Sequence, residues 1–259
     1  MGNHINRFIF YCFIFAALFQ VNSATGSVFT IEPDQPQKPH VSYEFLIDKT
    51  NKISIEDINS SEIQKNFTPS NQDKSFGYFY DTIWSKLSIK NGDPENNAFI
   101  LGLDYPPLDE VDFFMGGSQI KCGDSLPFSI RAIQHVSCAM EITIPYQQEK
   151  IVYVKTKTKG SAKLIYRIEE KQSWFNTKQR EEFLYGIFYG TLLIMMIYNL
   201  FLGVISREKN YIHYATFIFF LLMVNSTLFG HFAKYLTQDH AYLNNFITPL
   251  FVPAVFIQN

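Results

Sequence analysis

The sequence of 259 residues lacks the charge imbalance and the motifs that mark nucleic-acid-binding proteins and many enzymes. Its formal net charge is −2 at pH 7, so it offers no basic field to displace counterions from phosphates. It contains no G-x-S-x-G, H-E-x-x-H or Walker sequence. Asp109, Glu110 and Asp112 cluster, but a solvated strand edge accounts for them. We therefore expect no nucleic-acid partner, no catalytic residue and no enzyme activity here; any catalytic module would lie beyond Asn259.

Cysteine is also scarce, with three residues in the chain. Cys12 lies in an apolar N-terminal run, which leaves Cys122 and Cys138. Without a His pair at ligand spacing these two do not predict a zinc site, and His135 nearby is alone. We expect no metal and no cofactor. In an exported domain the two cysteines could form a disulfide, although the sequence leaves their pairing open.

The N-terminus has the three parts of a secretory signal peptide. His4 and Arg7 precede the apolar run at residues 8–19, and small residues follow at 21–27. We predict a signal peptide over residues 1–26. The competing interpretation is an uncleaved anchor helix, but the run is short for a hydrocarbon core of about 30 Å.

Charged residues are absent from residues 183–206, a run longer than the roughly 20 residues that cross a bilayer. A second apolar stretch covers residues 211–230, and a third begins at Phe246. The sequence therefore predicts transmembrane helices over residues 183–259, with membrane lipid as a partner. Arg207 and Lys209 in the short loop indicate that this loop faces the cytoplasm.

Residues 41–172 contain short alternating runs separated by turn sequences, which predict an all-β sandwich. The strand candidates start at Val41, Gly77, Asn97, Glu110, Leu126, Ala139, Lys150 and Ala162. Residues 27–40 are rich in proline and are predicted to be an extended lead-in. Residues 173–182 are predicted to be a juxtamembrane linker, with Trp174 and Phe175 at the membrane interface.

Aromatic and planar polar side chains in the sandwich are candidates for ligand binding. Sugars are recognised by a flat aromatic face together with side chains that pair their hydroxyls. The candidates of the sandwich are Trp84, Tyr105, Gln119 and Arg131, with Tyr78, Tyr80 and Asp104 as further residues of the same kind. Two alternatives stay open, because a tryptophan such as Trp84 in a central strand is more often part of the core than a binding platform, and Arg131 could bridge two loops.

In the first apolar run, Gly186 and Gly190 form a GxxxG pair that would let another helix approach closely. Simple tolerance of glycine in an aromatic-rich helix is the alternative. Asn199 is a polar side chain near mid-depth, so we expect it to face a neighbouring helix and form a hydrogen bond there. These three residues are the candidate helix-packing positions.

The sequence of residues 186–217 resembles the first two helices of the bacterial seven-transmembrane receptors with diverse intracellular signalling modules. The shared parts occur in the family's order: the two glycines, Tyr-Asn-Leu-Phe at residues 198–201, the charged loop at 207–209, and Tyr211 with Tyr214. Upstream, TIWSKLSIKN, LDEVDFF and GDSLPFSIR resemble the family's second type of extracellular sensor domain. That resemblance implies a jelly-roll-like fold similar to carbohydrate-binding modules. Lys86 stands where we expect an arginine in this family.

The resemblance covers roughly residues 43–259 and implies a membrane signal-transduction receptor. Its sandwich would sense an extracytoplasmic ligand, with a carbohydrate as one candidate, and its helices would pass the signal to a cytoplasmic output module that this chain does not contain. The expected location is the bacterial cytoplasmic membrane, with the sandwich outside and a homodimer as a further expectation. The alternative is a membrane-anchored carbohydrate-binding or adhesive module without signalling.

Overall fold

The computed structural model describes residues 28–33, 40–238, 240 and 243 of the chain. Within this part, twelve strands precede two long helices. The strands are β1 (Phe29–Ile31), β2 (Tyr43–Asp48), β3 (Thr68–Ser70), β4 (Lys74–Tyr78), β5 (Thr82–Asn91), β6 (Ala98–Leu103), β7 (Glu110–Met115), β8 (Ser118–Cys122), β9 (Cys138–Thr143), β10 (Glu149–Lys157), β11 (Ser161–Leu164) and β12 (Tyr166–Glu170). The predicted signal peptide and the start of the third span at Phe246 lie outside the described residues.

The strands form an antiparallel β-sandwich, as the sequence predicted. The larger sheet has the order β3-β2-β5-β10-β7-β8, and β1 adds to β5 in parallel. A second sheet has the order β12-β6-β9, and β11 pairs with β4 in a separate ribbon. Alternate residues of β5 enter the core between the sheets, so Ile83, Leu87 and Ile89 are almost completely buried.

The helical elements are of two kinds. Two single turns, α1 (Ile55–Ile58) and α2 (Ser61–Gln64), connect β2 to β3, and the first begins with a capping box between Ser54 and Asp57. The two long helices are α3 (Lys171–Ser206) and α4 (Lys209–Leu228), followed by a π-helical turn at Ala233–Thr237. Both long helices are long and apolar enough to cross a membrane.

Helix α3 begins directly after β12, so residues 173–182 form its first turns instead of a separate linker. The Glu170 carboxylate accepts hydrogen bonds of 2.9 Å from the backbone N–H groups of Gln172 and Ser173 and thereby caps the helix. No proline or glycine interrupts residues 171–182. The last strand of the sandwich and the first membrane helix are consequently one continuous run of regular structure.

Two local predictions were wrong. The run LPFSIRAI from Leu126 was expected to be a strand, but Phe128–Ile130 form a 3₁₀ turn, because Pro127 lacks the N–H that a sheet requires and Arg131 points into its own loop. Conversely, the segment at residues 116–124, between the predicted strands that start at Glu110 and Leu126, was interpreted as a turn but contains β8. Gly116 and Gly117 have φ values of 55° and 85° and form the β7–β8 hairpin turn, after which polar residues continue as an edge strand.

Candidate functional site

The functional candidate is the junction where the sandwich meets the long helices. Trp174, in the first turn of α3, is 2% exposed and packs against Ile100 and Ala139 of the smaller sheet. The His135 ring meets the Trp174 ring edge to face, with 5.1 Å between their centroids. The base of α3 is therefore anchored in the sandwich by a buried aromatic side chain.

A loop closed by a disulfide between Cys122 and Cys138 forms the sandwich side of this junction. Arg131 lies inside the loop and donates hydrogen bonds of 2.8 to 2.9 Å to the carbonyl oxygens of Gly123, His135 and Val136. Burial lowers the pKa of Arg131 to about 10, so it stays charged at neutral pH. Arg131 thus bridges parts of its own loop through backbone carbonyl groups, rather than two loops as the alternative interpretation had it.

A buried ion pair joins α3 to the sandwich. The Nζ of Lys178 lies 2.8 Å from Asp104 Oδ1 and 3.2 Å from Glu181 Oε2. Ser137 Oγ donates a hydrogen bond of 2.8 Å to the same Asp104 oxygen. Because the Lys178 side chain is 6% exposed, its attraction to Asp104 is only weakly screened by water.

Glu182, one turn later on α3, lies close to basic side chains from two other segments. Its carboxylate lies 2.7 Å from Lys234 Nζ, 3.6 Å from His231 Nε2 and 3.8 Å from His135 Nε2. The Tyr235 hydroxyl donates a hydrogen bond of 3.3 Å to Glu182 Oε2. One carboxylate thus connects α3 with the sandwich loop and with the segment after α4.

His135 is neutral in this cluster. Its Nδ1 accepts a hydrogen bond of 3.1 Å from the Ser137 backbone N–H, so its proton lies on Nε2, on the side of Glu182. Burial, together with the positive charge of Lys178, lowers the pKa of His135 to about 4.

The end of α4 touches the sandwich at Gly230. This residue has φ +76°, and a Cβ on it would lie 3.0 Å from Pro106 Cβ and 3.2 Å from Val136 Cβ. Only glycine fits both the backbone conformation and the space. Nearby, the Phe128 N–H donates to the Gln238 carbonyl oxygen at 3.0 Å. The loop 122–138 therefore contacts both long helices or their extensions.

An open cavity of about 1000 Å³ lies between these elements. Asp104, Tyr105 and Lys163 line it from the sandwich, and Lys163 Nζ lies 5.3 Å from the centre of the Tyr105 ring. The side chains of Leu184 and Phe188 line it from the first turns of the uncharged part of α3. Charged lining residues lie on the sandwich and the first turns of α3, where Pro106, Pro107 and Val136 also contribute, whereas mainly apolar residues line the cavity from the later part of α3 and the end of α4.

The other candidate ligand residues lie elsewhere. Trp84 is fully buried on the outer face of the larger sheet and stacks on Phe114, with 5.7 Å between ring centroids. Gln119 is exposed opposite Phe114 in the register of β7 and β8. Tyr78 and Tyr80 are 81% and 68% exposed. Of the four principal candidates, only Tyr105 lines the junction cavity.

Lys86, at the position where the resemblance implies an arginine, lies on the same outer face as Trp84. Its Nζ is 3.4 Å from Glu44 Oε2 and donates to Gln64 Oε1 at 2.9 Å. An ionic partner is therefore present on the neighbouring strand, and α2 supplies the second acceptor.

The helix-packing candidates do not form the contact between α3 and α4. A Cβ on Gly186 or Gly190 would meet no described atom within 4 Å, and Asn199 donates back to the Met195 carbonyl oxygen at 2.8 Å. The close approach occurs at Gly203, where a Cβ would lie 2.7 Å from Ile212 Cγ1. Gly203 was missed because an isolated glycine near a helix end carries no spacing signal.

Sequence reasoning also missed Lys178, Glu182, His231 and Lys234. Their signal was the charge that flanks each span, KQREE before the first and HFAKY after the second. Such charges are common at membrane interfaces, so their presence alone does not predict that they contact one another.

The two parts of the fold coincide with two family matches. The family model described as 7TMR-DISM extracellular 2 matches residues 40–170, just over half of the chain, and the model described as 7TM diverse intracellular signalling matches residues 181–258. Both families are sensor or receptor domains and not catalytic ones. A comparison with curated proteins gave no match.

Similar solved structures include a β-glucuronidase from Faecalibacterium prausnitzii, with 10% identity over 49% of this chain and 22% of that chain and a TM-score of 0.33. Another is a β-glucosidase from Kluyveromyces marxianus in complex with glucose, with 12% identity over 57% of this chain and 18% of that chain and a TM-score of 0.32. The chain thus spans less than a quarter of either enzyme's length. By its two family matches, the chain belongs to the seven-transmembrane receptors with diverse intracellular signalling modules, a family of membrane signalling receptors with an extracellular domain.

Proposed function

We propose that the sandwich senses an extracytoplasmic ligand and that the long helices pass the binding event across the bacterial cytoplasmic membrane to an output module. In this arrangement the sandwich is periplasmic or extracellular, and the loop with Arg207 and Lys209 is cytoplasmic. The membrane end of α3 begins after Glu182, because residues 183–206 carry no charge.

The observation that carries the proposal is the buried ion pair between Lys178 and Asp104 beside the buried ring of Trp174. These contacts fix the base of α3 to two strand ends of the sandwich. Helix α3 as a whole has 36 residues and is about 54 Å long at roughly 1.5 Å per residue. A tilt or rotation imposed at the junction is therefore carried to Ser206 by one rigid element.

Signalling requires more than a rigid connection. A ligand shifts the helices only if it binds one arrangement of sandwich and helices more tightly than another. To move the population from 1:99 to 99:1, the two affinities must differ by about 10⁴-fold. The ligand site that couples best is consequently one that contacts both parts or deforms the loop 122–138.

A carbohydrate is the candidate ligand of the sandwich. Tyr105 offers an aromatic face beside the carboxylate of Asp104, and a sugar needs both kinds of group. The alternative function, an anchored carbohydrate-binding or adhesive module without signalling, is favoured by Tyr78 and Tyr80, whose rings are exposed on and just after β4.

The test measures movement of the helices on binding. In lipid nanodiscs, spin labels on cysteines introduced at the exposed residues Lys121 and Lys209 report the distance between sandwich and cytoplasmic loop. A ligand found in a glycan screen should shift this distance in the parent chain. In the Lys178→Ala variant it should still bind but no longer shift the distance.

Lys171→Ala is the matched control. Lys171 is also on α3 and forms a 2.8 Å ion pair with a sandwich carboxylate, that of Glu141, but the two side chains are 44% and 45% exposed. Its loss should leave the ligand-induced shift intact. A distance that stays unchanged at saturating ligand in the parent chain would favour the anchored module.

A further inference from the structure

We infer that the junction cavity also binds a single-chain anionic amphiphile, such as a fatty-acid carboxylate that enters from the outer leaflet of the membrane, and that this ligand shares Asp104 and Tyr105 with the proposed sugar site. This inference rests on the proposed membrane placement of α3, with Glu182 at the boundary, but not on a carbohydrate ligand or on signal transmission.

In the proposed placement, one wall of the cavity lies at the membrane surface. Its lower wall consists of Leu184 and Phe188 from the start of the uncharged run, with Leu228 and Phe229 from the end of α4. Leu184, Phe188 and Leu228 are 58%, 40% and 46% exposed. This wall is therefore level with the outer edge of the hydrocarbon core, where acyl chains are the surrounding medium.

The opposite wall of the cavity carries charged side chains. Asp104, Tyr105 and Lys163 belong to the sandwich, and Lys178 and Glu181 belong to the charged first turns of α3. An occupant that contacts both walls must have a polar head toward the sandwich and an apolar chain toward the membrane. A free sugar would leave the lower wall without an apolar partner, and a plain hydrocarbon would leave the upper wall without hydrogen bonds.

Most of the charges around this upper wall are paired with one another. Lys178 is paired with Asp104 and Glu181, Glu182 is paired with Lys234, and His135 is neutral. Lys163 forms no ion pair with the residues that the structure describes, and its ammonium group lies over the Tyr105 ring at the cavity wall. The three carboxylates and three lysines around this wall balance in number, so the case for an anion rests on Lys163 alone: a negatively charged head group would give its ammonium an ion-pair partner.

The size of the cavity also suits such a ligand. A volume of about 1000 Å³ lies at the upper end of the range of roughly 300 to 1,000 Å³ that is usual for small-molecule sites. Because the cavity is open, a chain can leave it toward the bilayer while its head stays at the sandwich. Dodecanoate is therefore a suitable probe.

Binding can be measured through Trp174, which packs against His135 at the cavity wall. The chain contains two tryptophans, so Trp84→Phe leaves Trp174 as the single reporter. In phosphatidylcholine nanodiscs, dodecanoate brominated beside its carboxylate, the end placed at the sandwich, should quench Trp174 saturably, and unlabelled dodecanoate should compete.

Two series test the chain and the head separately. Each methylene buried should raise the affinity up to about four-fold, so dodecanoate should bind far more tightly than octanoate after correction for membrane partitioning. Dodecanol should bind at least about ten-fold more weakly than dodecanoate. Lys163→Ala should remove this preference for the carboxylate, whereas Lys157→Ala, an exposed lysine on β10 outside the cavity, should retain it.

The inference would be overturned if quenching rose linearly without saturation and did so equally in the Lys163→Ala variant. Such quenching would report only partitioning of the probe into the bilayer. Equal affinities of octanoate and dodecanoate would overturn the apolar part of the site. Loss of probe binding in nanodiscs that contain phosphatidylglycerol would overturn the single-chain assignment, because a two-chain lipid would then occupy the cavity. None of these results depends on whether a ligand of the sandwich moves the helices.

Discussion

Lys178 and Asp104 are 74 positions apart in the sequence, yet their side chains form a buried ion pair of 2.8 Å at the base of the first membrane helix. Two turns earlier, Lys171 and Glu141 form an ion pair of the same length in solvent. Equal distance does not imply equal energy, because a buried charge without its partner cannot recover its interaction with water.

Removal of the Lys178 ammonium group should therefore destabilise the junction. We expect Lys178→Met to lower the free energy of unfolding by about 2 to 3 kcal/mol. This loss is somewhat smaller than that on removing one partner of a fully buried ion pair, because the Asp104 side chain is 22% exposed. Lys171→Met should cost less than about 1 kcal/mol. Guanidinium unfolding in nanodiscs, followed by tryptophan fluorescence, measures both values.

A double-mutant cycle gives the control for this prediction. Adding Asp104→Asn to Lys178→Met should recover part of the loss, because the unpaired carboxylate is then removed. The cycle of Lys171→Met with Glu141→Gln should show a coupling below about 0.5 kcal/mol. Equal coupling energies in the two cycles would contradict the role assigned to the buried pair.

Asp124, in the loop 122–138, should make the protein less stable as the pH rises from about 4 to about 7. Burial, reinforced by the negative charge of Asp109, raises its pKa to about 7, whereas the unfolded chain has a value near 3.9. Between these values the folded state holds a proton that the unfolded state has lost. Asp124→Asn should remove this decline, worth at most about 4 kcal/mol, from the pH profile of unfolding.

His135 should have the opposite effect in the same loop. Its pKa of about 4 in the folded state lies below the usual 6.5, so between these values only the unfolded state is protonated. Its contribution to stability is lost as the pH falls from about 6.5 to about 4. When the free energy of unfolding of each chain is taken relative to its own value at pH 8, the His135→Gln variant should therefore be more stable than the parent chain at pH 5.

The two groups compensate each other between about pH 4 and pH 6.5 in the parent chain. The two variants should consequently have slopes of opposite sign, Asp124→Asn losing stability on acidification and His135→Gln gaining it. Parallel pH profiles for the parent and both variants would show that neither group titrates as its burial implies.

The local pattern of apolar and polar residues predicted the sandwich and the membrane spans, because strands and apolar helices both depend on residues that are close in sequence. Alternation in EVDFFM matches β7, and an uncharged run longer than the bilayer is thick lies within α3. The same alternation failed at LPFSIRAI, where a proline and an inward-facing Arg131 produce a loop with the apolar spacing of a strand. The pair of Lys178 and Asp104 could not be predicted, since no local pattern encodes a contact between a strand end and a helix 74 residues later.

Gly203 and Gly190 of α3 differ in the space that a Cβ atom would find. At Gly203 a Cβ would lie 2.7 Å from Ile212 Cγ1, so Gly203→Val should separate α3 from α4 and lower the thermal midpoint of the chain in nanodiscs. Gly190→Val adds the same side chain to the same helix, but a Cβ there meets no described atom within 4 Å. It should leave the midpoint and a disulfide crosslink engineered between α3 and α4 unchanged. If Gly190→Val instead shifts the oligomeric state, the GxxxG face binds a second copy of the chain, as its spacing predicts.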